Sequence, residues 1–142
     1  MSTPLPLAND YRRRFLMLAS IAYAVLGISY VVTPATTGRR AGFAWLPGPL
    51  SISTLGWVWV IVAAAVAIAS LAWPTSRRVE RWCFTALTMP PTLWAGIFAA
   101  SWLLGEHPVG YASTISYALM SGMTLLAASW PNPPQPGGGA RD

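Results

Sequence analysis

The chain has 142 residues, of which 54% are hydrophobic and only 9% are charged. Soluble domains usually carry about 25% charged residues, so a surface that faces only water is excluded and lipid must cover much of this protein. The formal charge of +5 comes from nine arginines and no lysine. Most of these arginines lie at the ends of apolar runs. This position indicates that the positive charge interacts with a membrane surface rather than with nucleic acid.

The N-terminal residues 1–14 are predicted to form a short cytoplasmic tail that ends in Arg12, Arg13 and Arg14. The apolar run 15–32 follows at once and is the first predicted membrane span. Positive charge beside the end of a span is typical of the cytoplasmic side. A cleaved signal peptide is the alternative, but its apolar core usually has about 7–15 residues, whereas this run has 18.

One face of the first span collects small and polar side chains at intervals of three and four residues: Ser20, Tyr23, Gly27 and Tyr30. The aliphatic residues fall largely on the other faces, where we expect lipid: Leu16, Leu18, Val25 and Leu26. The following segment 33–53 contains several prolines and glycines and is predicted to be a loop. Its apolar part, 43–47, is expected at the membrane interface with Trp45 at headgroup depth; a re-entrant dip is the alternative.

The second predicted span, 54–73, has twenty residues without charge or proline. At a rise of about 1.5 Å per residue it is long enough to cross a bilayer. Small residues follow one of its faces, where they let another helix approach closely: Gly56, Val60, Ala63, Ala67 and Ser70. The polar turn 74–81 carries Arg77, Arg78 and Arg81 and is therefore assigned to the cytoplasmic side.

The third predicted span, 82–104, contains Pro90 and Pro91, which predict a kink because they remove two amide donors and free the carbonyls of Ala86 and Leu87. Hydroxyl side chains on one face, followed by Gly96, are expected to satisfy these carbonyls: Thr85, Thr88 and Thr92. A hinge or a pore constriction at the two prolines is the functional alternative. The lone Cys83 is interpreted as a buried, unreactive thiol.

The last predicted span, 111–130, is the most polar and places four side chains on one face: Ser113, Tyr117, Ser121 and Thr124. The turn before it, 105–110, carries Glu106 and His107 and is predicted to be solvated. Two residues cannot fill a zinc site, which needs three or four protein ligands. The final segment, 131–142, is rich in proline and glycine and is predicted to be disordered.

Together these segments predict an all-α integral membrane bundle of four transmembrane helices, 15–130, with both termini in the cytoplasm. The tryptophans agree with this orientation: Trp73, Trp82 and Trp130 mark the inner interface and Trp57, Trp59 and Trp102 the outer one, while Trp94 lies nearer mid-span. No Asp, Glu, Lys, Arg or His falls inside a predicted span, which disfavours proton-coupled transport and intramembrane catalysis. We expect neither an enzyme nor a bound cofactor or metal.

What remains is a bundle with hydroxyl-lined faces. These faces predict hydrogen bonds between helices or, as the alternative, the lining of a water-filled pore when several copies assemble. The small size, the uncharged spans, the arginine-rich inner turn 74–81 and the short tail resemble the holins and other small multipass membrane proteins of phages that infect actinobacteria.

This resemblance covers the layout of residues 11–130 and implies a pore former that oligomerises in the bacterial cytoplasmic membrane. The tail departs from it, because holin C-termini are usually strongly charged and residues 131–142 contain only Arg141 and Asp142. The alternative function is that of a non-catalytic accessory or immunity protein acting through another membrane protein. The expected partners are therefore the lipid bilayer and either further copies or such a protein, and not nucleic acid.

Overall fold

The computed structural model describes residues 11–47, 50–73 and 76–130. Within these ranges the chain forms five α-helices, which are α1 (Tyr11–Val32), α2 (Thr37–Phe43), α3 (Ile52–Ala72), α4 (Arg77–Leu103) and α5 (Gly110–Ser129). The predicted all-α class is confirmed. The segment 1–10 of the predicted cytoplasmic tail and the predicted disordered segment 131–142 lie outside the described residues.

The four long helices pack as two pairs, α1 with α3 and α4 with α5, and the pairs meet mainly where α3 contacts α4. The first turns of α1 and α4 lie at the same end, where Arg12 and Glu80 form an ion pair. The ring of Phe15 contacts Phe84 and Trp130 at this end, so α5 ends there as well. We call it the arginine-rich end.

Three helices, α1, α3 and α4, are long and apolar enough to cross a membrane, counting only the residues that the structure describes. In length and composition they are the helices of a multispanning membrane protein. In such helices most backbone amides and carbonyls find a partner within the segment, which lipid requires. The fourth span, predicted in α5, is not among the three and stays a prediction.

The four long helices begin earlier than predicted, and in α3 and α4 a serine outside the apolar run starts the helix. The Ser51 hydroxyl accepts a hydrogen bond from the Thr54 amide (3.1 Å) at the start of α3. Likewise, the Ser76 hydroxyl accepts one from the Val79 amide (3.3 Å) at the start of α4. A serine at this position satisfies one of the amides that a first helical turn leaves unpaired. The arginines assigned to a tail and a turn therefore lie on helices.

The predicted loop 33–53 contains the short helix α2, which the sequence analysis missed. Thr36 starts this helix by accepting a hydrogen bond from the Arg39 amide (3.4 Å). Phe43, expected at the interface, is instead buried and packs its ring against Trp94 and Phe98. Ser101 adds a hydrogen bond from its hydroxyl to the Ala41 carbonyl (3.2 Å). Helix α2 therefore closes the end of the bundle that lies opposite the arginine-rich end.

Three further residues that were predicted outside the core are buried. Leu16, assigned to lipid, is only 2% exposed, and Trp59, assigned to the outer interface, is 0% exposed. Trp59 takes this position because it follows the same helical period as Ala63, Val66 and Ser70, all of which are buried. His107, expected in a solvated turn, is also buried and lies against the Phe98 ring.

Candidate functional site

The hydroxyl-bearing faces predicted from the sequence are the candidate functional surface. On α1 the whole predicted face is buried, and its members are Ser20, Tyr23, Gly27 and Tyr30. On α5, Ser121 and Thr124 are buried, whereas Ser113 and Tyr117 are half-buried. The structure therefore brings the polar faces of α1 and α5 towards the centre of one molecule.

The tyrosines of α1 bridge the two helix pairs. The Tyr23 hydroxyl lies 3.3 Å from the Thr124 hydroxyl of α5. The Tyr30 and Tyr117 hydroxyls form a second hydrogen bond between the same helices. Thr124 donates its own proton to the Met120 carbonyl (2.9 Å), which leaves its oxygen free to accept from Tyr23. Because α1 and α5 are otherwise in little contact, these bonds are the main polar link between them in the described chain.

We expect the Tyr23–Thr124 bond to contribute modestly to stability. Hydrogen bonds between membrane helices average about 0.6 kcal/mol in double-mutant cycles. A cycle of Tyr23→Phe and Thr124→Val, with unfolding followed by circular dichroism in detergent, should give a coupling of about this size. The control cycle pairs Tyr23→Phe with Thr114→Val, whose hydroxyl donates to the Gly110 carbonyl of its own helix. Equal couplings in the two cycles would contradict the assigned bond.

The hydroxyls of α4 are placed differently. Thr85 and Thr92 are exposed on the outer side of the α4–α5 pair, and Thr88 is half-buried. Thr92 also reaches α5, where its hydroxyl lies 3.0 Å from that of Ser121. Of the predicted hydroxyl set on α4, then, two members face out of the single molecule rather than into it.

The expected role of these threonines beside the two prolines is wrong. Helix α4 continues through the buried Pro90 and Pro91. The threonine hydroxyls donate to other carbonyls than those of Ala86 and Leu87: Thr85 to Arg81 (3.1 Å), Thr88 to Phe84 (2.9 Å) and Thr92 to Thr88 (2.8 Å). Each hydroxyl binds the carbonyl four residues earlier, which is the nearest acceptor on a helix. Movement at the two prolines stays a prediction.

Aromatic rings fill the centre of the molecule between the two helix pairs. Trp59 and Trp94 are both 0% exposed, and their ring centroids lie 5.5 Å apart with the rings nearly perpendicular. Tyr23 packs edge-on against Trp59 (4.8 Å between centroids), and Tyr30 lies against Trp94 (5.5 Å). The tyrosines that carry the bridging hydroxyls thus also close the space between the pairs.

Unlike the ring-filled centre, the outer side of the α4–α5 pair contains glycines with open space beside them. Gly96 on α4 and Gly122 on α5 are exposed, and no atom lies within 4 Å of the place where a side chain would begin. They flank the Thr92–Ser121 contact. We call this surface the α4–α5 outer face and define it by its exposed small and hydroxyl-bearing members, which are Thr85, Thr92, Gly96, Ala118 and Gly122.

The arginines assigned to topology lie at one end. Arg12, Arg13 and Arg14 occupy the first turn of α1, and Arg77, Arg78 and Arg81 the first turns of α4. A cavity of about 10 Å³ opens beside them between Arg13, Ser70 and Cys83, with room for about one water molecule. Within the described ranges, no three His, Cys, Asp or Glu side chains are grouped closely enough to hold a metal ion.

Comparison with known proteins adds no relative: no protein-family model, curated protein or solved structure matches this chain.

Proposed function

We propose that α5 is a fourth membrane span beside α4. Its 20 residues correspond to about 30 Å at 1.5 Å per residue, the thickness of the hydrocarbon core. It packs along α4 after a short turn, so it follows a helix that is itself a candidate span. Its exposed side is largely aliphatic, as contact with lipid requires: Ile115, Leu119, Met123, Leu125 and Leu126.

The membrane is the bacterial cytoplasmic membrane, and both termini are in the cytoplasm. This orientation is supported by the distribution of the arginines. Six lie at one end of the bundle, whereas Arg39 and Arg40 lie near the other end. Arginine-rich ends of membrane helices stay on the cytoplasmic side. Exposed tryptophans flank the arginine-rich end, as interface anchors do: Trp73, Trp82 and Trp130.

In this membrane the protein acts as a holin-like pore former made of several copies. The observation that carries this proposal is the α4–α5 outer face, which presents threonine hydroxyls and side-chain-free glycines outside the single molecule. Small residues let membrane helices approach closely and hydroxyls can bond across the contact. Because rings fill the centre of one copy, water and ions would pass between copies and along Thr85 and Thr92.

A second function is favoured by the internal pairing of the buried hydroxyls. Tyr23, Tyr30, Tyr117 and Thr124 satisfy one another within one molecule, so most of the predicted polar faces are not available to line a pore. In this case a different membrane protein occupies the α4–α5 outer face, and the chain is a non-catalytic accessory or immunity protein.

Controlled expression in a bacterial host, with membrane potential followed by a voltage-sensitive dye, separates the two functions. The pore former should collapse the potential abruptly after a delay. The variant G96V/G122V fills the outer face at two glycines where an added Cβ meets no neighbouring atom within 4 Å in the monomer, and it should abolish the collapse at equal membrane levels. The control A64V/A65V also introduces two valines, at exposed positions of α3, and should behave as wild type.

Normal growth and potential at high levels of the unaltered protein would rule out the pore. Recovery of one defined membrane protein in mild detergent with the unaltered chain, and its loss with G96V/G122V, would then establish the accessory function.

A further inference from the structure

The arginine-rich end carries a large excess of positive charge. Six arginines lie there against Glu80, the one carboxylate at this end within the described residues. Glu80 is engaged by Arg12, whose Nε lies 2.6 Å from Glu80 Oε1, and both side chains are 17% exposed. The Arg12 guanidinium also lies over the Phe84 ring, 5.3 Å from its centroid. The charge of Glu80 is therefore directed into the contact between α1 and α4.

The arginines of α4 point elsewhere. Arg77, Arg78 and Arg81 are all exposed, and spacings of three and four residues place them at neighbouring positions on α4, whereas Glu80 is only 17% exposed and is held by Arg12 of α1. The first turn of α4 adds the partial positive charge of a helix N-terminus. Trp82 and Trp73 next to them are 65% and 59% exposed, as side chains at headgroup depth are.

We infer that Arg77, Arg78 and Arg81 form a binding surface for anionic phospholipid headgroups of the phosphatidylglycerol type. A planar guanidinium donates two parallel hydrogen bonds to a phosphodiester, and the adjacent tryptophans place these groups at the depth of the lipid phosphates. The inference rests on the proposed insertion of the bundle, with this end at a membrane surface, and not on pore formation. Basic clusters next to a membrane helix strengthen binding to anionic lipid by about fivefold per arginine.

The test measures which lipids stay on the purified full-length protein. The protein is equilibrated in neutral detergent with equal amounts of phosphatidylglycerol and phosphatidylcholine and isolated again, and the bound lipids are quantified by mass spectrometry. Wild type should be enriched several-fold in phosphatidylglycerol. R77Q/R78Q should lose most of this enrichment, so that the two lipids bind in nearly equal amounts. R39Q/R40Q removes the same amount of charge near the opposite end and should keep the phosphatidylglycerol enrichment.

Circular dichroism confirms that each variant is folded before its lipids are counted. Enrichment that is absent in wild type, or that falls equally in both double variants, would overturn the inference. Displacement of the lipid by an excess of inorganic phosphate would also overturn it, because the surface would then bind free phosphate rather than a headgroup. This result is independent of membrane depolarisation. If R77Q/R78Q loses the lipid enrichment but still depolarises cells, pore formation does not depend on the lipid-binding surface. If wild type binds phosphatidylglycerol without depolarising cells, the proposed pore is contradicted and the lipid-binding surface is not.

Discussion

Replacing Gly56 with alanine should destabilise the protein, although alanine favours a helix over glycine by about 1 kcal/mol. The new Cβ would lie 2.8 Å from Tyr30 Cβ and 3.1 Å from the Gly27 carbonyl oxygen. These atoms belong to the backbone of α1 or are fixed to it, so a change of rotamer cannot relieve the contact. Helices α1 and α3 must move apart, and overpacking of this kind costs about 1–3 kcal/mol, with valine costing more than alanine.

Two other glycines provide the control for this prediction. Gly96→Ala and Gly122→Ala add the same methyl group where no atom lies within 4 Å, so they should be neutral or stabilising by up to about 1 kcal/mol. The measurement is the free energy of unfolding in mixed micelles, followed by circular dichroism as a denaturing detergent is added. The expected changes have opposite signs, and a Gly56→Ala variant that is as stable as wild type or more stable would show that α1 and α3 are not in close contact at Gly56.

Replacing Trp59 with alanine should cost the most of the single changes considered, about 3–5 kcal/mol. The indole is fully buried and lies against the rings of Tyr23, Trp94 and Tyr117. Its removal leaves a void in the centre of the bundle, and the neighbouring rings lose their packing contacts. The Tyr23 ring that supports the hydroxyl bond to Thr124 loses its neighbour as well.

The matched control is Trp57, two residues earlier on the same helix and 52% exposed. Because lipid replaces the contacts of an exposed indole, Trp57→Ala should change the free energy of unfolding by less than about 0.5 kcal/mol. The same detergent titration compares the two variants with wild type. Similar losses at both positions would place Trp59 at the interface, as the sequence had indicated, and remove it from the core.

Helical periodicity was sufficient to predict which face of α1 is buried, because Ser20, Tyr23, Gly27 and Tyr30 recur once per turn. It also indicated Ser121 and Thr124 on α5. In each case the stripe differs in chemistry from the rest of the helix, so the pattern is visible in a single sequence. The same period could have placed Trp59 in the core, but tryptophan near the end of a span was interpreted as an interface anchor.

Other features depend on contacts between distant parts of the chain. Helix α2 has seven residues, two of them glycine, and no local preference for a helix strong enough to predict it. Its stability comes from Phe43 packing on α4 and from the Ser101 hydrogen bond to Ala41. The hydrogen-bond partners of Tyr23 and Tyr30 could not be identified from the sequence either. Helical periodicity indicates which side chains are buried, but it does not indicate which other helix they contact.

The bonds from Tyr23 and Tyr30 join the first long helix of the chain to the last one, across separations of 101 and 87 residues. A ribosome delivers α1 to the membrane long before it has synthesised Thr124. The hydroxyls of Tyr23 and Tyr30 therefore lack these partners until α5 has been synthesised. The centre of the bundle can close only after α5 has joined α4, so among the five described helices α5 is the one on which closure of the centre depends.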